Sequence, residues 1–407
     1  MLLDPFLRRI VQTGELLVTD ASGETRRYGA PEPARPPVHL RFRDKRVPFD
    51  IMRRPTLGMP EAYMDGRIDI DDDDILGFLD LFRFNAAFEK SVDDGLGIGE
   101  HPWLMRLGRA NSLRQSKRNV AHHYDLSDRL YDLFLDRDRQ YSCAYFTEDN
   151  ADRDLDRAQL DKKTHIAAKL DLKPGQRVLD IGCGWGGMAL YLNRVADVDV
   201  LGITLSEEQL KVARRRADEA GVADRVQFEL IDYRVLTGRF DRIVSIGMFE
   251  HVGVPHYRDY FAKIRELLSD DGVALIHTIG RMGAPSYTDS FTAKYIFPGG
   301  YIPALSETVA ASERERLILS DVEVLRLHYG LTIEHWYERT TAAKEQIVAL
   351  YDERFYRMWR FYLAGALTAF RWGEMVNFQL QYVRDRRALP ITRDYIDDAE
   401  KALRAKG

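Results

Sequence analysis

The stretch Val178-Leu-Asp-Ile-Gly-Cys-Gly-Trp-Gly-Gly187 ends an apolar run on an acidic residue and then sets four glycines in six positions. Glycine is needed where backbone bends sharply and lies against a ligand, because a Cβ would collide. A helix that starts just past such a turn points its free N–H groups at the ligand, and Met188 to Arg194 reads as that helix. The spacing, Asp-x-Gly-x-Gly-x-Gly, is neither the GxGxxG of dinucleotide sites nor the phosphate-loop pattern GxxxxGK(S/T). A purely structural turn is the competing reading. Three more side chains could do chemistry: Cys143, in Tyr141-Ser-Cys-Ala-Tyr-Phe146; Glu250, at the carboxyl end of an apolar strand; and His277, after Val273-Ala-Leu-Ile276. Each has a plain counterpart. Cys143 reads also as a small buried hydrophobe, His277 as a satisfied core histidine, and Glu250 as a carboxylate paired with His251 or an arginine, since unpaired burial would raise its pKa. Zinc needs three or four clustered ligands, and the Cys and His spacings match no such pattern, so no metal site is expected.

These residues need a scaffold. From Gln176 on, strands at Arg177–Asp180, Val198–Ile203, Val226–Leu230, Phe240–Ser245 and Val273–His277 alternate with helices at Met188–Arg194, Ser206–Ala220 and about His256–Leu268. That alternation means an α/β fold with a parallel doubly wound sheet, whose ligands bind beyond the carboxyl ends of the strands. The glycine loop falls there. From Leu331 the chain shows no strand alternation and reads as long helices. The first hundred residues differ: Glu15–Thr19, Thr25–Tyr28 and Val38–Phe42 read as short strands between Gly/Pro turns, and Ile75–Phe88 is apolar at helical spacing. A smaller α+β domain is expected there, with the acidic run Ile68-Asp-Ile-Asp-Asp-Asp-Asp74 marking a helix N-terminus and Ser91–Pro102 a linker.

At 407 residues two domains are expected, and a net charge of −5 argues against a nucleic-acid partner. Two cysteines, Cys143 and Cys183, make no disulfide framework and fit a reducing, cytoplasmic setting. Met1–Ile10 has no apolar core of a signal peptide. No apolar run reaches the roughly 18 residues of a membrane span; Phe361–Phe370 stops at Arg371. Lying on a membrane is another matter. Met105–Asn119 carries Arg106, Arg109, Arg114, Lys117 and Arg118 without an acidic residue, and Arg354, Arg357 and Arg360 interleave with Phe355, Tyr356, Trp359, Phe361 and Tyr362. Such mixtures suit anionic lipid; a solvated face and a buried aromatic helix are the alternative.

Further strings join the glycine loop: Tyr141–Phe146, Gly202-Ile-Thr-Leu-Ser206 with Gln209, Asp232-Tyr-Arg234, Phe240 to Gly253 around Phe249-Glu-His251, Leu275-Ile-His-Thr-Ile-Gly280 and Phe297-Pro-Gly-Gly300. Together, from about residue 115 to the C-terminus, they resemble the cyclopropane-fatty-acyl-phospholipid synthases and the mycolic acid cyclopropane synthases. The resemblance implies a Rossmann-like class I methyltransferase with extra C-terminal helices: residues 1–100 as a lipid-binding accessory domain, 101–118 as linker and basic segment, 119–407 as catalytic domain. It implies S-adenosylmethionine, with Asp180, Gly182, Gly184 and Gly186 at the methionine end and Tyr141 and Ser142 closing over it. Asp232 and Tyr233 would contact adenine. Thr204, with Ser206 and Gln209, stands where most methyltransferases carry an acidic residue for the ribose, a departure these synthases share. Also implied is a bound bicarbonate, held by Cys143, Glu250, His277, the backbone at Ile279 and Tyr329, as base for the carbocation formed when methyl adds to an alkene. Loss of a proton then closes a cyclopropane ring.

The implied substrate is an unsaturated phospholipid acyl chain, met by a homodimer at the inner face of the cytoplasmic membrane. Tyr295-Ile-Phe297, Tyr301 and Tyr351–Tyr362 are candidate channel lining. Three other outcomes share parts of the pattern: methyl- or methylene-branched acyl chains, small-molecule N-methylation, and a lipid-binding scaffold with a vestigial cofactor site.

Overall fold

The computed structural model describes residues 1–90, 127–148 and 154–406. The linker and basic segment over 101–118 lie outside the described residues, as do Ser91–Pro102 and Met105–Asn119. Two compact units emerge, neither a continuous stretch of chain. One gathers Met1–Met105, Thr288–Pro298 and Gly330–Glu374; the other gathers Arg106–Tyr287, Gly299–Tyr329 and Met375–Gly407.

In the first unit β1 (Leu16–Thr19), β2 (Thr25–Tyr28), β3 (Val38–Phe42) and β4 (Ile68–Ile70) form a sheet in the order β2-β1-β3-β4. The acidic run divides into two jobs. Ile68 and Ile70 bury the inner face of β4, and Asp74 caps the helix Ile75–Asn85, its carboxylate accepting the Gly77 N–H at 2.8 Å. The helix Glu353–Trp372 starts at Asp352, which accepts the Phe355 N–H at 2.6 Å, and packs against Ile75–Asn85. Its three arginines do not form a lipid-facing row. Arg354 bonds Asp65, Arg357 donates to the Tyr63 carbonyl, and Arg360 is buried between Asp73 and the Tyr337 hydroxyl. A guanidinium in the middle of an aromatic helix must be paired once that helix is buried.

The second unit carries the site. Its sheet comprises β5 (Arg177–Ile181), β6 (Asp199–Thr204), β7 (Val226–Leu230), β8 (Phe240–Ile246), β9 (Leu268–Arg281), β10 (Ile318–Leu325) and β11 (Met375–Val383). The order is β10-β11-β9-β8-β5-β6-β7; β5 to β9 are parallel and β11 runs antiparallel to both neighbours. The expectation of helices alone beyond Leu331 is therefore corrected. Met375-Val-Asn-Phe-Gln-Leu-Gln-Tyr-Val383 alternates with period two, and from Val376 on every residue is buried. Its apolar face joins the core with Ile243, Ala274 and Ile276. The amide nitrogens of the other face are hydrogen-bonded, as that of Gln381 is to the Lys169 carbonyl at 2.5 Å and the Tyr395 hydroxyl at 2.7 Å.

Candidate active site

The sheet order reverses at β5, with β6 on one side and β8 on the other, and a crevice opens beyond their carboxyl ends. Gly182, Gly184 and Gly186 all have positive φ, at 80°, 55° and 83°, so the loop turns as L side chains rarely can. A Cβ on Gly186 would lie 2.7 Å from Phe228, whereas one on Gly184 meets nothing within 4 Å. Gly186 therefore closes the loop onto the protein, and Gly184 presents bare backbone to the crevice. Asp180 lines the same cavity, with Oδ2 buried and without a partner, and burial pushes its carboxyl up to about 7 against the nearby Lys162 cation.

Tyr141, Ser142, Asp180, Gly182, Gly184, Thr204, Gln209, Asp232 and Tyr233 share this cavity. Two expected members stand behind it. Gly186 precedes the helix Gly187–Ala196, and Ser206 caps the helix Glu207–Glu219, its Oγ accepting the Gln209 N–H at 3.3 Å. Thr204 is held in turn, donating to Gln209 Oε1 at 3.1 Å and accepting the Ser206 N–H at 3.2 Å. Asp232 accepts the Arg234 side chain at 2.8 and 2.7 Å. Sequence reasoning missed Trp185, Met248 and His251, which also line the wall. Trp185 stood inside the glycine motif and was the readable one; it packs edge-on against Tyr131 at 5.1 Å.

Lys162 gave no signal in the sequence, because a lysine on a helix reads as solvated. Here it is fully buried on the helix Leu155–Lys169, donating to Gln140 Oε1 at 2.5 Å and to Ser142 Oγ at 2.9 Å. Burial pulls its ammonium down to about 8 while Asp136 resists. Lys162 thus holds the segment 140–142 over the crevice. The next turn of that segment is fixed by rings: Tyr145 stacks on His165 at 4.2 Å and on His328 at 5.0 Å, and the Phe146 N–H donates to His328 Nδ1 at 3.0 Å. Cys143, fully buried, lies two residues before Tyr145, and Tyr329 follows His328 in the first turn of the helix His328–Ala342.

Glu250 sits on the turn Phe249–His251, between the cavity-lining Met248 and His251. Its Oε1 accepts the Ile279 N–H at 2.6 Å, joining two expected members directly. Pairing with His251 or an arginine is not what is found. Among the described residues no hydrogen bond reaches the buried Oε2; the nearby Thr278 Oγ1 bonds the Ile279 carbonyl at 3.0 Å. Burial pushes the Glu250 carboxyl up to about 7, with the backbone N–H groups of Glu250 and Ile279 and the Thr278 hydroxyl opposing. His277, two residues earlier on β9, has Nε2 3.0 Å from Asn377 Nδ2 and Nδ1 3.2 Å from Gln379 Nε2, both on β11. Burial holds it neutral, with the Lys162 charge acting the same way. Tyr301 donates its N–H to the Glu250 carbonyl at 2.9 Å, which assigns it to the core beside the turn.

Residues 111–380 match the model of the mycolic acid cyclopropane synthetase family. The chain belongs to that family. It is 38% identical over 352 residues to a cyclopropane-fatty-acyl-phospholipid synthase of Escherichia coli, covering 86% of this chain and 88% of that one. A probable fatty acid methyltransferase of Pseudomonas putida is 42% identical over 301 residues, 70% of this chain and 75% of its own. The structure of mycolic acid cyclopropane synthase CmaA1 complexed with SAH and CTAB superposes with a TM-score of 0.61 at 34% identity, covering 65% of this chain and 97% of that one. The protein is an S-adenosylmethionine-dependent methyltransferase of class I fold. Its crevice fits that cofactor: Asp180 Oδ2 is a buried acceptor without a donor, and Gly184 leaves room for close approach.

Proposed function

We propose that this enzyme adds a methylene to the cis double bond of an unsaturated phospholipid acyl chain. S-adenosylmethionine supplies an electrophilic methyl when bound, and a bicarbonate, when bound, supplies a base too weakly nucleophilic to be alkylated. Asp180 accepts from the cofactor's ammonium, and the loop through Gly182 and Gly184 lies along its amino-acid end. Tyr141 and Ser142, held down by Lys162, exclude water from the reacting centre, which an alkyl cation requires. Thr204 and Gln209 face the ribose, with Ser206 and Gly186 supporting from behind; Asp232 and Tyr233 face the adenine.

One observation carries the ring-forming reading: Glu250 is fixed on the Ile279 N–H through one oxygen and keeps its buried second oxygen free to accept a hydrogen bond. That oxygen suits the O–H of a bicarbonate, for which Cys143, His277 and Tyr329 would supply the remaining contacts. His277 orients through Asn377 and Gln379 rather than titrating. Residues 1–100 serve as a lipid-binding accessory domain and 119–407 carry the catalytic domain, although Thr288–Pro298 and Gly330–Glu374 fold into the same compact unit as the N-terminal residues. The enzyme works as a homodimer on the inner face of the cytoplasmic membrane. Among the described residues no helix is long and apolar enough to cross a membrane. The likeness to the P. putida fatty acid methyltransferase favours a second reading, in which the same cation ends as a methyl- or methylene-branched chain.

Purified protein, S-adenosylmethionine and vesicles of monounsaturated phospholipid distinguish these. Gain of one CH₂ with loss of vinyl protons by NMR is the expected result. Retained vinyl or exomethylene signals mean branching, and no lipid product overturns both readings. Removing bicarbonate from the buffer should slow turnover reversibly.

A further inference from the structure

The helix Val47–Arg53 turns an unusual face to solvent. Phe49 and Met52, one helical turn apart, are 58% and 49% exposed. Lys45 and Arg46, in the turn leading into the helix, and Arg53, at its end, are all exposed and lie three or four residues from Phe49. Neighbouring charges are already engaged: Arg43 with Asp69, Arg54 with Glu61, and Asp44 and Asp50 with Arg67. Among the described residues no carboxylate pairs with Lys45, Arg46 or Arg53. The opposite face is fixed, with Val47 buried and the helix lying close on Gly58, where a Cβ would strike the Asp50 backbone.

We propose that this face seats the protein on an anionic lipid surface, Phe49 and Met52 entering among the acyl chains while Lys45, Arg46 and Arg53 meet headgroup phosphates. The inference rests on the reading that the substrate is a bilayer phospholipid, and it names the element that reaches the bilayer. Charge chooses the occupant. A second copy docked face to face would oppose like cations, whereas anionic headgroups neutralise them. The aromatic-rich helix Glu353–Trp372 is a poorer candidate, its arginines being engaged within the protein.

The test uses full-length protein with phosphatidylglycerol or phosphatidylcholine vesicles carrying monounsaturated chains. Neutralising the charges (K45Q/R46Q/R53Q) should weaken binding to phosphatidylglycerol by on the order of a hundredfold, since each surface-near cation is worth roughly fivefold. F49S/M52S should weaken binding by about tenfold on either lipid. Wild-type binding should fall steeply with salt. Both variants should keep their thermal stability and their activity on detergent-dispersed lipid. Unchanged vesicle binding in both variants overturns the proposal. So does a loss of self-association without a loss of vesicle binding, which would make the face an interface between copies. A wild type that binds vesicles through this face yet forms no lipid product would instead defeat the reading of the reaction.

Discussion

Asp180, lining the cleft, and Glu250, on the turn beside it, pose the same physical question: a buried carboxylate with one oxygen unpartnered among the described residues, pushed up to about 7 by desolvation. Such groups mark sites that a ligand completes. Glu250→Gln keeps the acceptor for Ile279 but removes the charge. Turnover should fall by roughly 10²–10⁴ while cofactor affinity, read by calorimetry, stays near wild type. Wild-type turnover in that variant would remove Glu250 from the mechanism. Asp180→Asn should weaken cofactor binding roughly ten- to a hundredfold, the worth of a charge-assisted hydrogen bond. Pairing with an ammonium lowers the pKa of Asp180, so cofactor binding below about pH 7 should release a proton. Calorimetry in buffers of different ionisation enthalpy reads that release directly, and its absence at pH 6 would contradict the assignment.

At the scale of elements, the loop after β5 separates folding from binding within one motif. Gly186→Ala faces both a positive φ and Phe228 at 2.7 Å, so it should lower stability by about 2 kcal/mol or more. Gly184→Ala meets no protein atom and carries only the strain of its positive φ, so it should lower the melting temperature by no more than a few degrees while damaging cofactor affinity. Equal effects of the two on melting would show that the loop is structural throughout. The glycine pattern was legible because positive φ and close approach each demand glycine locally. The insertion of β11 was not, although its alternation was in plain view. Its neighbours β9 and β10 precede it by about 50 residues or more of intervening chain, and only three-dimensional packing ranks that strand above a helix.

Across the whole molecule, two buried carboxyls are a burden that the rest of the fold carries. A carboxyl whose folded pKa is raised costs nothing below its unfolded value near 4. The cost grows as pH rises towards 7 and is complete above it. His251, pushed down to about 4 by burial, acts in the opposite sense, taking a proton on unfolding below about pH 6.5 and so destabilising the fold in acid. At pH 7.5 without cofactor, Asp180→Asn and Glu250→Gln should therefore each melt a few degrees above wild type; lower melting in both would mean that these carboxylates stabilise the fold. The sequence by itself determined the alternating parallel core, the glycine loop and the residue types around it, because turn geometry and hydrophobic period act over a few residues. Only the tertiary structure decided that Lys162 is buried beneath Ser142, that Glu250 answers to Ile279, and that Arg360 is spent on Asp73. Those pairings join residues far apart in the chain, and desolvation, which sets their chemistry, exists only once the layers have closed.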